Sequence, residues 1–302
     1  SKIGSTVASV LSKKLGTKVQ VGRIDLGFLN RIIIDDVRIR DQRGKMMLQS
    51  SRVSAKLDYL ALAKGEITIN SAQLFSLKAR LYKTSAQAKP NFQFVLDSLA
   101  SKDTTKQKTP LNLAIQSIII RHGEISYDQL DKPHADKLTP WHVHVRELSS
   151  HIMLNKLTAD SLNLNVKKLS LSESSGLHIK ALQFKAVANR KHAELHGFYL
   201  ELPHTALALG DITASYRFMD NKLEMPSLQY EGSIQQSVVT PADFAPLLPV
   251  LKTYTRPVVL AADFNSTSMG VRVKHLEMGV PQQGLPSTLH SATDIHLALD
   301  GS

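Results

Sequence analysis

No cysteine occurs in the 302-residue chain. That excludes a disulfide framework, a thiolate metal site and a cysteine nucleophile, and leaves the compartment open. Aromatic residues are scarce, at 6%, and no basic run is interleaved with stacking rings. The excess of 37 Lys and Arg over 26 Asp and Glu therefore points away from nucleic acid and toward another anionic partner, such as a phospholipid headgroup. No apolar run approaches the roughly 20 residues that a membrane-spanning helix needs. The patterns G-x-S-x-G, phosphate loop and H-E-x-x-H are all missing, so neither an enzyme nor a cofactor is expected.

What the chain does have is alternation, most clearly in TKVQVGRIDLGFLNRIIIDDVRIRDQRGKMML, residues 17 to 48. Val19 and Val21 alternate, then Ile24, Leu26 and Phe28 do so in the opposite phase, with Gly22 between the sets. The same slip separates Ile32 and Ile34 from Val37 and Ile39, at Asp35-Asp36. Period-two alternation directs one set of side chains to one sheet face, and a one-residue slip marks a bulge that keeps that face apolar while adding twist. Adjacent strand residues point to opposite faces. Asp35 and Asp36 are therefore read as bulge markers with solvated carboxylates, not as a calcium or acid/base pair.

In chain order, Ile3, Val7, Val10, Leu11 and Leu15 form one helical stripe ahead of Gly16. Lys13 and Lys14 crowd its last turn, where they suit the helix dipole and lipid phosphates alike. Residues 46 to 58 and 66 to 82 read as further strands, with a short helical turn around Leu57, Leu60 and Leu62. Asn91 is placed to cap a helix over NFQFVLDSLA. SKDTTKQKT has no apolar residue and reads as a mobile loop. Alternation then resumes in LNLAIQSIIIRHGEISY and continues through WHVHV, SLNLNV, KLSL, LHIKALQF, HGFYLEL, DITASYRF, VVLAADF and VRVKHLEM. Thr240 and Asp243 look like a capping pair for one more helix, near 241–252, which Pro246 and Pro249 should kink or shorten.

Roughly fourteen to sixteen strands, each apolar on one face, exceed what an open sheet carries without curling, closing or splitting. The expectation is a mainly β fold: a long, curled, antiparallel-rich sheet forming a hydrophobic groove, with a few short helices. Its parts are an amphipathic helix over 1–15, a first groove section over 16–100, a loop over 101–110 and a continuing groove over 111–302. The expected lining is Val19, Val21, Ile24, Leu26, Phe28, Ile32, Ile34, Val37, Ile39, Val143, Val145, Leu162, Leu164 and Val166. Lys13 and Lys14 are the headgroup or membrane-surface contacts. Arg38, Arg40, Arg43 and Lys45 read as a solvated outer face. His142 and His144 share a strand face, and with His151 or His122 would make a zinc set. In a chain with 12 histidines that coincidence is expected by chance, and no metal site is assigned.

VGRIDLGFLNRIIIDDVRIRDQRGKMML followed by SAKLDYLALAKGEITINSAQL resembles the amino-terminal part of AsmA-like proteins, most closely the TamB (translocation and assembly module inner-membrane subunit) family. The resemblance lies in the order of elements. A short helix precedes a V-x-V-G-x-I-x-L strand and an I-x-I-x-x-V-x-I strand, then an Asp41 to Gly44 turn and a Leu-rich turn before Gly65, Glu66, Ile67, Thr68 and Ile69. SVVTPADFAPLLPVL is similar to a helix that recurs in that family. The likeness spans residues 1 to 82 and is a matter of pattern beyond 111. It implies a periplasmic segment of the bridge-like lipid-transfer (β-taco) type, tethered to the inner membrane by a transmembrane helix upstream of Ser1. The implied partners are phospholipid and an outer-membrane assembly protein. The family's far carboxy-terminal module is not recognisable, so partner binding by that module does not carry over. A scaffolding β domain that offers a sheet edge to an assembly partner is the alternative reading.

Overall fold

The alternating runs become strands, and among the described residues little else forms. The computed structural model describes residues 2–28, 30–58, 67–100, 111–157, 160–220, 222–267, 270–282 and 285–298. Within them are nineteen strands, seventeen of which hydrogen-bond in one mixed, mostly antiparallel sheet, and two α-helices. The chain divides into two compact units, 1–154 with 170–176 and 155–169 with 177–302. Of the helical turn expected around Leu57, Leu60 and Leu62, Leu57 instead ends the strand Met46–Leu57, while Leu60 and Leu62 and the loop expected at 101–110 lie outside the described residues.

The first unit contains α1 (Lys2–Leu15), β1 (Val19–Gln20), β2 (Ile24–Leu26), β3 (Arg31–Arg40), β4 (Met46–Leu57), β5 (Ile67–Phe75), β6 (Lys78–Lys83), α2 (Gln93–Ala100), β7 (Leu111–Gln129) and most of β8 (His142–Leu157). Pairing is antiparallel except where β7 lies parallel to β5 and β6. A parallel neighbour needs a crossover, and the chain between β6 and β7 supplies it together with α2.

The phase slips prove to be one feature repeated across the unit. At Asp35-Asp36 β3 and β4 slip together, with Asp35 opposite Arg52 and Val37 opposite Ser50, so neither strand gains a residue over the other. The expectation of a one-sided bulge is corrected to a matched kink. Its neighbours follow in line: Gly22 and Arg23 bond to Asp35 across the β1–β2 break, Arg52 lies opposite Phe75, Phe75 beside Arg121, and Gly123 opposite Leu148. Asp36, Ser76, His122 and Glu147 on this line all have φ between 49° and 54°. Left-handed backbone re-aims each strand by one side chain, at a cost that the surrounding pairing must offset. Gly123 is required there for space, because a Cβ would lie 2.7 Å from Cγ2 of Ile120 and 3.3 Å from Cβ of Leu148. Asp36 is exposed, whereas Asp35 receives Arg52 Nε at 2.8 Å and lies 3.5 Å from Arg23. The Arg52 hydrogen bond holds its carboxyl below the usual range.

The β3–β4 turn forms as expected, with Gly44 at φ 80°. Asp41, 2% exposed, seals it: Oδ1 accepts the Arg43 and Lys45 amides at 3.0 and 2.8 Å, and Oδ2 accepts the Tyr82 hydroxyl at 2.8 Å. Burial works to raise its pKa, but the Tyr82, Lys45, Arg43 and Asn91 hydrogen bonds outweigh it, and the net shift is downward. A depressed carboxyl adds stability that is whole above the unfolded carboxylate range and is lost as pH falls through the lower native value. Urea titrations in that acid window should show Asp41→Asn with a flatter pH dependence than the wild type. Equal slopes would remove Asp41 from the account.

The second unit holds the rest of β8, most of β9 (Ser161–Glu173), β10 (His178–Asn189), β11 (His192–Leu202), β12 (Thr205–Ala208), β13 (Ile212–Ser215), β14 (Phe218–Met219), β15 (Lys222–Leu223), β16 (Gln229–Val239), β17 (Val258–Thr267), β18 (Gly270–Gln282) and β19 (Leu285–Ala298). β14 and β15 form a separate hairpin. Register shifts recur at Gln183/Lys185, Ile234/Ser237 and Asp263/Phe264. The same line passes the β12–β13 break at Gly210, whose missing Cβ admits Ser233.

Two helix expectations are corrected. Residues 241–252 form two 3₁₀ segments, Pro241–Phe244 and Pro249–Thr253, because Pro246 and Pro249 lack the amides that a continuous helix needs. Thr240 makes no side-chain cap; its hydroxyl donates to the His204 carbonyl at 2.9 Å, and Asp243 accepts the His204 amide at 2.8 Å. Asn91 likewise does not cap α2. Its side chain accepts the Tyr82 amide at 2.9 Å and donates to the Arg80 carbonyl at 3.0 Å, tying the turn to β6.

Candidate functional site: an apolar sheet face in each unit

Directly opposed residues share a sheet face, so register shows which apolar side chains lie together. In the first unit Val19 faces Ile39, Ile24 faces Ile34 and Leu26 faces Ile32. Ile39 then faces Leu48, and Ile34 faces Val53. The surface continues through Leu74 and Ile120, then Ala79 with Ile125 and Leu81 with Tyr127, to Val145 and Val143 opposite Ile125 and Tyr127. The kink line crosses this face without breaking it, because every strand changes phase at the same level.

One end of the face is covered. Leu15 of α1, Val19, Met47 and Phe94 of α2 form a buried cluster, against which Leu11, Val21, Ile39, Leu48 and Leu81 pack. Met47 reaches it because a register shift between Ile39 and Arg40 makes it the extra residue of β4. At the opposite end Leu26 is 84% exposed.

Of the expected lining, Val19 and Val21 thus lie under the helices, Ile34 and Val37 are buried, and Ile24, Ile32, Ile39, Val143 and Val145 are half-buried on the shared face. Phe28, also 84% exposed, lies past the end of β2 in a bend, so the expected alternation stops at Leu26. Leu162, Leu164 and Val166 alternate with Asn163 and Asn165 on β9, in the second unit. Lys13 is exposed and Lys14 half-buried in the last turn of α1.

The second unit has an equivalent face that the expected lining does not include, although the same alternation signals it. Leu182 faces Leu200, Leu200 faces Leu207, and Leu195 faces Ile212. Ala214 faces Tyr230, Ile234 faces Ala262, Ala262 faces Leu276, and Phe264 faces Val273. Phe184 stacks on Phe198, and Tyr230 meets Phe264 edge-on. No α-helix covers this face among the described residues, and most of its side chains remain half-buried.

The reverse face is mostly polar, with Val187, Val238 and Val259 as apolar exceptions. Lys185 lies opposite His196, Glu194 opposite Thr213, Thr213 opposite Glu231 and Asp263 opposite His275. Glu194 bonds both His192 and His196 at 2.9 and 2.8 Å, and His196 Nδ1 meets Asp211 at 3.0 Å. The Glu194 contact, then the Asp211 contact, raises the His196 pKa.

The histidines of WHVHV separate. His144 pairs with Glu124 at 3.0 Å, His151 meets the Ser117 hydroxyl at 3.3 Å, and His122 sits in the kink. The zinc set considered from spacing is therefore not assembled. His142 turns instead to Asp128 and His134. No family model matches the chain, and no curated protein matches it.

Proposed function

We propose that this chain is a segment of a lipid conduit, in which the apolar face of each unit shields acyl chains from water. The observation that carries the reading is the first unit's face, kept apolar across a row of kinks, covered by helices at one end and exposed at the other. A sandwich would place a second layer on such a face. At ~0.8 kcal/mol per buried methylene, a sixteen-carbon chain loses on the order of 12 kcal/mol on moving from a bilayer into water. A continuous aliphatic surface removes most of that barrier without a specific contact.

The mechanism is passive: acyl chains slide along residues such as Ile24, Ile32 and Ile39, and headgroups stay at the solvent side. The net charge of +11 favours anionic headgroups. With the resemblance to the TamB family, the setting is the periplasm, the tether an inner-membrane helix, and the process outer-membrane lipid transport or outer-membrane protein assembly.

Photocrosslinkers at Ile24 and Leu200 should capture phospholipid in cells, whereas one at Lys185 on the polar face should not. Organic extraction of the purified chain should release phospholipid. Capture of protein but never lipid, with an empty extract, would overturn the conduit and favour a scaffold.

A further inference from the structure

The ends of β7 and β8 and the loop joining them gather one carboxylate and two imidazoles. His142 Nδ1 lies 2.7 Å from Asp128 Oδ1, and its Nε2 lies 2.9 Å from the Lys132 carbonyl oxygen. The His134 ring stacks on His142 with centroids 3.8 Å apart, and one donor atom from each of the three residues lies within 4.8 Å of the other two. They border a cavity of about 560 Å³ that Asp136 also lines.

The Lys132 carbonyl settles the chemistry of the ring. A carbonyl only accepts, so Nε2 carries hydrogen. Nδ1 then faces a carboxylate, and something positive must stand between them, either a proton or a metal ion. A backbone carbonyl that fixes one ring nitrogen while the other ligates, beside a carboxylate, is the usual outer shell of a histidine metal ligand. Neighbouring groups are otherwise engaged: Lys132 Nζ sits 5.4 Å over the Trp141 ring, His144 bonds Glu124, and Glu173 accepts hydrogen bonds from Ser174, Ser175 and the His144 amide.

We propose that Asp128, His134 and His142 bind a divalent transition-metal ion, with zinc the fitting representative, which clasps the 130–141 loop to the strand ends. Two nitrogens and one carboxylate oxygen leave a fourth tetrahedral position for water or Asp136. With metal–ligand bonds of roughly 2.0–2.1 Å, neighbouring donors stand about 3.3 Å apart. Binding therefore spreads Asp128 from His142 by a few tenths of an ångström and draws in His134, whose side chain is exposed. The site is independent of lipid: it lies where the 130–141 loop meets the ends of β7 and β8, and its ligands belong to no apolar face.

Calorimetric titration of the full chain with zinc chloride at neutral pH tests it. One saturable site is expected, weakened on the order of 100-fold by His142→Ala or Asp128→Asn and about tenfold by His134→Ala, with His144→Ala unchanged. Asp128→Asn preserves shape and carries the test if His142→Ala fails to fold. Absence of a saturable site in the wild type, or binding that survives both substitutions, overturns the proposal and leaves a His142–Asp128 ion pair.

Discussion

Glutamate at both Phe264 and Leu276 should strip bound phospholipid from the chain by about tenfold or more while leaving it folded. Phe264 lies opposite Val273 and Leu276 opposite Ala262, and both are half-buried on the second unit's apolar face. An acyl chain laid there would have to bury two carboxylates, and each unpaired buried charge costs several kcal/mol. If the face is open, the same carboxylates in the lipid-free chain stay in water, and the melting temperature should fall by no more than about 5 °C. A covered face gives the reverse result, since two charges in a sandwich core would unfold the unit. Reversing Lys185 to Glu on the polar face should leave lipid unchanged. Collapse of the fold on Phe264→Glu and Leu276→Glu would thus contradict the open groove, and retention of lipid in a folded variant would contradict the path.

The second large effect concerns the covered end. Met47→Ala should cost about 2–5 kcal/mol in urea denaturation, because the side chain is 2% exposed among Leu15, Val19 and Phe94, and its removal leaves a cavity that two helices and a strand must close. Trypsin should then cleave faster after Lys13 and Lys14, in the last turn of α1. Met278→Ala is the matched control. That residue is 43% exposed on the second unit's apolar face, so it should cost below about 1 kcal/mol. Equal costs at the two positions would mean that the helices do not seal the groove end.

Much of this is legible in the sequence alone. The phase slips at Gly22 and Asp35-Asp36 located backbone irregularities, read as bulges, since side chains facing one surface must repeat every two residues and any departure needs such an irregularity. Gly44 marked its turn for the same local reason. Matching of the slips from strand to strand was not legible, because it depends on register. The opposition of Asp35 to Arg52 and the placing of Ser76, His122 and Glu147 on one line arise from pairing between residues far apart in sequence. Nothing local revealed that Met47 turns inward, that β7 runs parallel to β5, or that Asn91 serves β6 in preference to α2. Capping rules also misjudged Thr240, where two prolines and the competing His204 contacts decided the outcome.

The sequence by itself determined that this protein is a β-structure with one apolar and one polar side to its strands, because periodicity is a local property of the chain. Only the tertiary structure decided that those sides join into a broad face in each unit, that helices close one end in the first unit, and that His142 meets Asp128 and His134 instead of His144. Each of these is a contact between distant segments, set by strand register and crossover, and no spacing along the chain encodes it.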